Sequence, residues 1–291
     1  MKALVDSSSA SASAPGRAHA AAGLRGCGER WRGSGPVTQV LVLTKRALWS
    51  QFADRRVLVI KLLQPLLLLV VLGQLFGSMV DPALLPSGVP YMEFLLPALL
   101  VTSGIGSAAA SGAILSRDME NGVMARLRSL PIGLSSVLFA RGFADLLRCC
   151  VQMVIMTVFA WALFGYSPPG GILGTAAAVA LAGFVIWALT WVFLALSCWL
   201  RSLDAMQSIA GVATFPLMFG SSAFAPVDGM PFWLQVIARA NPLSYAVDAS
   251  RSLCLGTPDL GGLGGALAAS AGVAALGILL AVRGFRRPLV G

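Results

Sequence analysis

With one histidine, His19, and five cysteines (Cys27, Cys149, Cys150, Cys198 and Cys254) that form no C-x-x-C, the chain lacks the ligand clusters of a zinc site and the framework of a disulfide-stapled domain. It also has no H-E-x-x-H, no G-x-S-x-G and no G-x-x-x-x-G-K-[ST]. Metalloprotease, serine-hydrolase and phosphate-loop chemistry therefore have no foothold. Charge is scarce as well: 11% of the 291 residues are Asp, Glu, Lys or Arg, against about a quarter in a soluble domain. Together with 57% hydrophobic residues, this excludes an ordinary soluble domain and leaves a membrane protein. The net charge of +9 would suggest nucleic acid in a soluble chain. Here the bases flank apolar runs, where they meet anionic lipid headgroups, so membrane lipid is the expected partner and nucleic acid is not.

What the chain does contain is long apolar runs. Residues 1–36 are rich in Ser, Ala and Gly without apolar periodicity, and read as a disordered N-terminal tail that could precede the true start. They lack the order of a secretory signal, and DRRVLVIK (Asp54 to Lys61) reads as the positive flank of a span rather than an export signal. From Val37 to Asp54, Val40, Leu43, Ala47 and Leu48 recur at helical spacing between Lys45, Arg46 and Gln51, as in a helix lying on the membrane surface. Six runs then predict crossings at about 57–80, 91–115, 134–164, 171–200, 205–224 and 263–282. Arg201, Ser202 and Asp204 mark the turn between the fourth and fifth. The expected fold is all-α: one membrane domain over 37–287, with an interfacial helix, six spans and an outer re-entrant hairpin.

The loops give an independent test of orientation, because cytoplasmic loops hold the Lys and Arg. Nineteen of the twenty-one bases fall on one side: ten up to Lys61, then Arg117, Arg126, Arg128, Arg141, Arg148, Arg201, Arg283, Arg286 and Arg287. Arg239 and Arg251 fall on the other, with Asp81, Glu93, Asp228, Asp248 and Asp259. Both termini are expected in the cytoplasm.

Four constellations stand out. In the second span Ser103, Ser107 and Ser111 run beside Gly104, Ala108 and Gly112, and such small-residue rows let helices approach closely in lipid. Arg141, Asp145 and Arg148 open the third span at i, i+4, i+7, with the acid between the bases. They read as an inner-mouth cluster paired with itself or a neighbour. Between these spans, Val123, Leu127 and Leu130 make an apolar ridge, Arg117, Asp118, Glu120, Arg126 and Arg128 occupy other faces, and Pro131 stops the helix. An amphipathic helix of both charge signs suits a groove on a soluble protein better than an anionic lipid surface. Finally, Pro231, Asn241 and Pro242 punctuate two short helices between the last two spans, roughly 231–239 and 242–253, as a cap over the bundle or an outer gate.

This order of elements resembles the permeases of ABC type-2 transporters. Residues 117–142, RDMENGVMARLRSLPIGLSSVLFARG, look like that family's acid-x-Gly, Arg-Leu, Pro-Ile and Gly-Arg run. The FP, FAP, MP-x-W-L and NPLSY...D-x-x-R elements, from Phe215 to Arg251, look like its closing signature. The wording of the first run is most similar to the daunorubicin-resistance type of drug-export permease. Two features depart from the family: its Gly-Arg is Ala140-Arg141-Gly142 here, and the N-terminal tail is long.

The resemblance implies that residues 117–131 form a coupling helix seated in a cleft of a separate ABC ATPase, with Arg117, Asp118, Glu120, Gly122, Arg126, Leu127, Arg128 and Pro131 as the coupling residues. The gate reading of the outer hairpin would rest on Pro226, Pro231, Trp233, Asn241, Pro242, Tyr245, Asp248 and Arg251. This chain would bind no cofactor and have no catalytic activity of its own, ATP and Mg acting through the partner. The implied assembly pairs two permease copies, a homodimer or two different chains, in the cell (cytoplasmic) membrane, and exports hydrophobic drugs or natural products. Export of polysaccharide or lipid-linked glycan is the alternative within the family, and a non-transporting scaffold or sensor the alternative outside it.

Overall fold

Where water is absent, each backbone N–H and C=O must find a partner in the protein, and a long apolar run meets that demand locally only as a helix. The computed structural model describes residues 35–53, 55–79, 90–123, 134–223 and 231–286, and among them no strand occurs. The helices are α1 (Pro36–Ala53), α2 (Arg55–Met79), α3 (Tyr91–Glu120), α4 (Leu134–Phe164), α5 (Gly171–Leu200), α6 (Leu203–Phe219), α7 (Phe232–Ala240), α8 (Pro242–Cys254) and α9 (Leu260–Arg286). The protein is thus an all-helical, multi-pass membrane protein. The tail, residues 1–36, lies outside the described residues up to position 34.

Four helices are long and apolar enough to cross a membrane: α3, α4 over Ser135–Phe164, α5, and α9 over Leu260–Phe285. The other two expected crossings correspond to α2, whose 25 residues include the apolar stretch Leu62–Leu75 and an internal Pro65, and to α6, with 17 residues. The third and fourth spans begin and end where the sequence predicts. The others differ at their ends: α3 continues to Glu120, α9 extends from Leu260 to Arg286, and α6 stops at Phe219 rather than 224. That early stop is made at Gly220, whose N–H bonds to Pro216 O at 2.8 Å.

Helix α5 is the centre of the bundle and packs against α3, α4, α8 and α9. Its Trp191 is fully buried, between Phe139 at 4.9 Å and Trp187 at 6.0 Å. One apolar cluster joins Leu95, Leu96, Leu99 and Leu100 of α3 to Met153 and Met156 of α4 and Ile186 of α5. A second, toward the arginine-rich end, joins Leu115, Leu138, Trp191, Leu194 and Phe285.

The small-residue row of α3 packs as its spacing suggests. Gly104, Ala108 and Gly112 are buried, and a Cβ on Gly112 would lie 2.8 Å from the backbone oxygen of Phe193 and 2.6 Å from Met206 Cε. On the opposite side of α5, a Cβ on Gly277 of α9 would lie 2.9 Å from the Trp191 backbone. Two helices therefore touch α5 backbone to backbone, which is how association is achieved where no hydrophobic effect drives it. A branched side chain at the first seam should be costly. Gly112→Val is expected to destabilise the detergent-solubilised protein by about 2 kcal/mol, whereas Gly106→Ala, with nothing within 4 Å of the new methyl, should be neutral or slightly stabilising; thermal unfolding of the two variants decides.

Candidate functional site

The arginine-rich end is organised around the last turn of α3. The spacing predicts one helix over residues 117–131, but Arg117, Asp118 and Glu120 belong to α3 itself. The helix closes through Asn121 N–H to Arg117 O (3.0 Å) and Gly122 N–H to Met119 O (3.2 Å), and breaks at Gly122, φ +68°. Glycine tolerates that left-handed conformation without the Cβ clash that other residues meet. Val123 begins the next segment, while Arg126, Leu127, Arg128 and Pro131 lie outside the described residues.

The acids on this turn reach to other helices. Asp118 Oδ2 accepts from Arg141 Nη1 of α4 at 2.7 Å. The partner of Arg141 is thus a neighbouring helix rather than Asp145, one turn along; Asp145 and Arg148 are buried. Glu120, exposed, accepts the backbone N–H of Leu203 on Oε1 at 2.7 Å. Leu203 is the first residue of α6, and its N–H is one of the four donors a helix start leaves without an internal partner. Ser202 accepts the N–H of Ala205 at 3.4 Å, so two side chains from different parts of the chain share this helix start. A carboxylate there also complements the helix dipole, worth about 0.3–1 kcal/mol.

The same end is tied together elsewhere. Ser116 and Ser197, both fully buried, bond hydroxyl to hydroxyl at 2.9 Å. Trp199 Nε1 donates to Leu280 O at 3.1 Å and Arg201 Nη2 to Gly284 O at 3.4 Å. Arg201 closes α5 in a left-handed conformation, φ 53°. Thr44 of α1 donates to Ala140 O at 3.3 Å.

The hairpin end carries the second constellation. Asn241 caps α8 as expected, its side chain accepting from Leu243 N at 3.0 Å. Its amide also donates to Leu217 O (3.1 Å) and Gly220 O (2.9 Å), so one side chain starts α8 and terminates α6. Pro242 sits in the first turn of α8. Tyr245 OH donates to Arg239 O at 2.9 Å, joining the two short helices. Pro231 precedes α7, and both it and Trp233 are exposed; Pro226 lies outside the described residues.

Arg251 makes the longest reach. Although 7% exposed, its guanidinium donates to Phe94 O of α3 (3.2 Å), to Ala223 O (2.8 Å) and to Asp248 Oδ1 (3.4 Å), and lies 3.7 Å from the Phe94 ring centroid. Burial draws its pKa down to about 10, with the nearby Asp248 opposing the shift. It therefore remains a cation at neutral pH. Asp248 is held in turn by Ser222 Oγ at 2.8 Å, and Ser222 N–H donates to Ser244 Oγ at 3.3 Å. Phe94, Ser222 and Ser244 carry no sequence signal for this role; they become visible once the hairpin is placed against α3.

Beside the hairpin a cleft of about 530 Å³ opens between α4 and α5, lined by Thr157, Trp161, Tyr166, Ile172 and Thr175 among others. Its walls suit apolar groups. Among the described residues no three His, Cys, Asp or Glu side chains converge as a metal site would require.

The Arg251 network yields a stability test. Arg251→Leu leaves two buried carbonyls without their donor and should cost about 2–3 kcal/mol, while Asp248→Asn, at a largely exposed partner, should cost under about 1 kcal/mol; thermal melts in detergent distinguish them.

Comparison with known proteins places this geometry. Residues 38–255 match the family described as ABC-2 type transporter. The daunorubicin resistance ABC transporter permease protein DrrB1 of Streptomyces coeruleorubidus is 32% identical over 77% of each chain. A putative transport permease, ycf38, of Porphyra purpurea is 30% identical over 74% of this chain and 73% of its own. The probable doxorubicin resistance ABC transporter permease protein DrrC of Mycobacterium tuberculosis is 24% identical over 86% of this chain and 89% of its own. With the family match extending from α1 through the Asn241–Arg251 hairpin, the chain belongs to the ABC-2 type transporter permeases.

Proposed function

We propose that this chain is the membrane subunit of an ATP-driven exporter that moves hydrophobic drugs or natural products out of the cell, with a separate ABC ATPase supplying the energy. Six helices cross the membrane in this reading: α2, α3, α4, α5, α6 and α9. At 1.5 Å per residue α2 is about 37 Å long and α6 about 25 Å, the latter near the lower limit for a crossing. Both termini face the cytoplasm, as the distribution of bases argues. The domain occupies residues 37–287 and follows a disordered tail. A second copy of the chain completes the pathway.

One observation carries this reading: at the arginine-rich end α3 runs past its apolar stretch to Glu120 and breaks at Gly122, where the mixed-charge sequence with amphipathic spacing continues. There it suits a cleft on the ATPase better than lipid. ATP and Mg act in that partner; closing of two ATPases displaces the segment and rocks the permease between inward and outward openings. On the opposite side, the hairpin latched by Asn241, Asp248 and Arg251 acts as the outer gate. Two drug-resistance relatives support the substrate class. Trp187 and Trp191 are engaged in packing within the bundle, so that aromatic pair lends no weight to glycan export.

Two measurements test the proposal. Cysteines introduced at Asn121 and Ser167 in intact cells should be labelled from the cytoplasmic and external faces respectively, and the reverse result would overturn the topology. Co-expressed with its ATPase, the chain should lower accumulation of a hydrophobic fluorescent drug such as daunorubicin. Arg126→Glu with Leu127→Asp should abolish ATPase capture while leaving membrane insertion intact; undiminished capture would remove the segment from the interface.

A further inference from the structure

We propose that Glu120 is a positioning residue that couples the ATPase-facing segment to α6, rather than a contact on the ATPase itself. The inference deepens the exporter reading above and rests on it. Glu120 is the last residue of α3, two positions before the break at Gly122. Any displacement of the following segment is therefore felt first at this side chain. Its carboxylate is committed across 83 residues of sequence to Leu203 N–H, at 2.7 Å.

Helix α6 is suited to receive that motion. Its Met206 is buried against α3 and α5, but Gln207, Ser208, Val212 and Phe215 are exposed. The helix packs laterally on α3 and more lightly on α5, and is fixed axially at its two ends: Glu120 and Ser202 at the start, and the amide of Asn241 on Leu217 O and Gly220 O at the finish. The root of the segment has a second tie, Asp118 to Arg141, which leads to α4 instead. Of the two acids on this turn, Glu120 is the one that addresses α6. Through α6 the displacement reaches the hairpin that Asn241 starts, 38 residues beyond Leu203.

A cap and an ionic contact with a partner respond differently to substitution. Glu120→Gln keeps an acceptor oxygen but removes the charge, and Glu120→Ala removes both. Leu203→Pro deletes the donor from the other side. Proline is tolerated in the first helical turn, and Ser202 already holds the extended conformation, φ −125° and ψ 128°, that a following proline requires. Leu203→Ala controls for loss of the leucine side chain.

In the isolated full-length chain, amide hydrogen exchange at Leu203 should accelerate about tenfold in Glu120→Ala and little in Glu120→Gln. In the complex with the ATPase, with daunorubicin as the probe, Glu120→Ala and Leu203→Pro should each cut drug-stimulated ATP turnover at least about fivefold, and the double variant should match either single one. Glu120→Gln and Leu203→Ala should stay near wild type, and every variant should still capture the ATPase. Equal impairment by Glu120→Gln and Glu120→Ala, or losses that multiply in the double variant, would overturn the proposal. Failure of the unmodified chain to capture an ATPase would instead bring down the exporter reading, and the coupling role with it, whatever the exchange rates show.

Discussion

The structure depends on which groups satisfy the ends of its helices. Each helix start leaves four N–H groups, and each helix end four carbonyls, outside the internal ladder. In this bundle several of them are met by side chains from distant parts of the chain. Glu120 serves the first N–H of α6 and Asn241 the last carbonyls of the same helix; Arg251 adds bonds to Phe94 O near the start of α3 and to Ala223 O beyond the end of α6. These bonds place the helices relative to one another more specifically than apolar contact can, because each has a direction. They also explain why the few charged and amide side chains of so apolar a sequence cluster at two levels of the bundle.

Much of the architecture was legible in the sequence because apolar runs and their punctuation are local signals. Spans three and four, the turn at Arg201 and Ser202, the two short helices, and the cap at Asn241 all follow from spacing, proline placement and capping preference. The end of α3 was misjudged for a physical reason. RDME is polar, so it reads as the start of a loop element, yet Arg117, Met119 and Glu120 are good helix formers and the helix continues until Gly122 permits a left-handed turn. The shorter reach of α6 has a similar origin: Phe219, Gly220 and the two serines are apolar or small enough to pass for span, and the stop comes where Gly220 leaves the helical conformation, φ −84° and ψ 37°.

The partners were the least legible part. The Arg141, Asp145 and Arg148 spacing allows pairing within the cluster or with a neighbour, and cannot choose; Arg141 takes the neighbour, Asp118, across a loop. Likewise the D-x-x-R of the hairpin pointed to Asp248 with Arg251, which is present, but the shorter bonds of Arg251 are to backbone oxygens. A backbone carbonyl or N–H is offered by nearly every residue, so no residue type marks it. Membership of the ABC-2 type transporter family accounts for the recurrence of such patterns from Phe215 to Arg251 without identifying which atoms they address.

The glycine seams on either side of α5 carry a mechanical implication. Gly112 of α3 abuts Phe193, and Gly277 of α9 abuts Trp191, both at backbone distance and two residues apart along the same helix. On the glycine side such contacts have no side chain to re-pack and leave little room to slide. Helices α3, α5 and α9 should consequently travel as one stiff slab, leaving α2, α4 and α6 to absorb whatever rearrangement the protein undergoes.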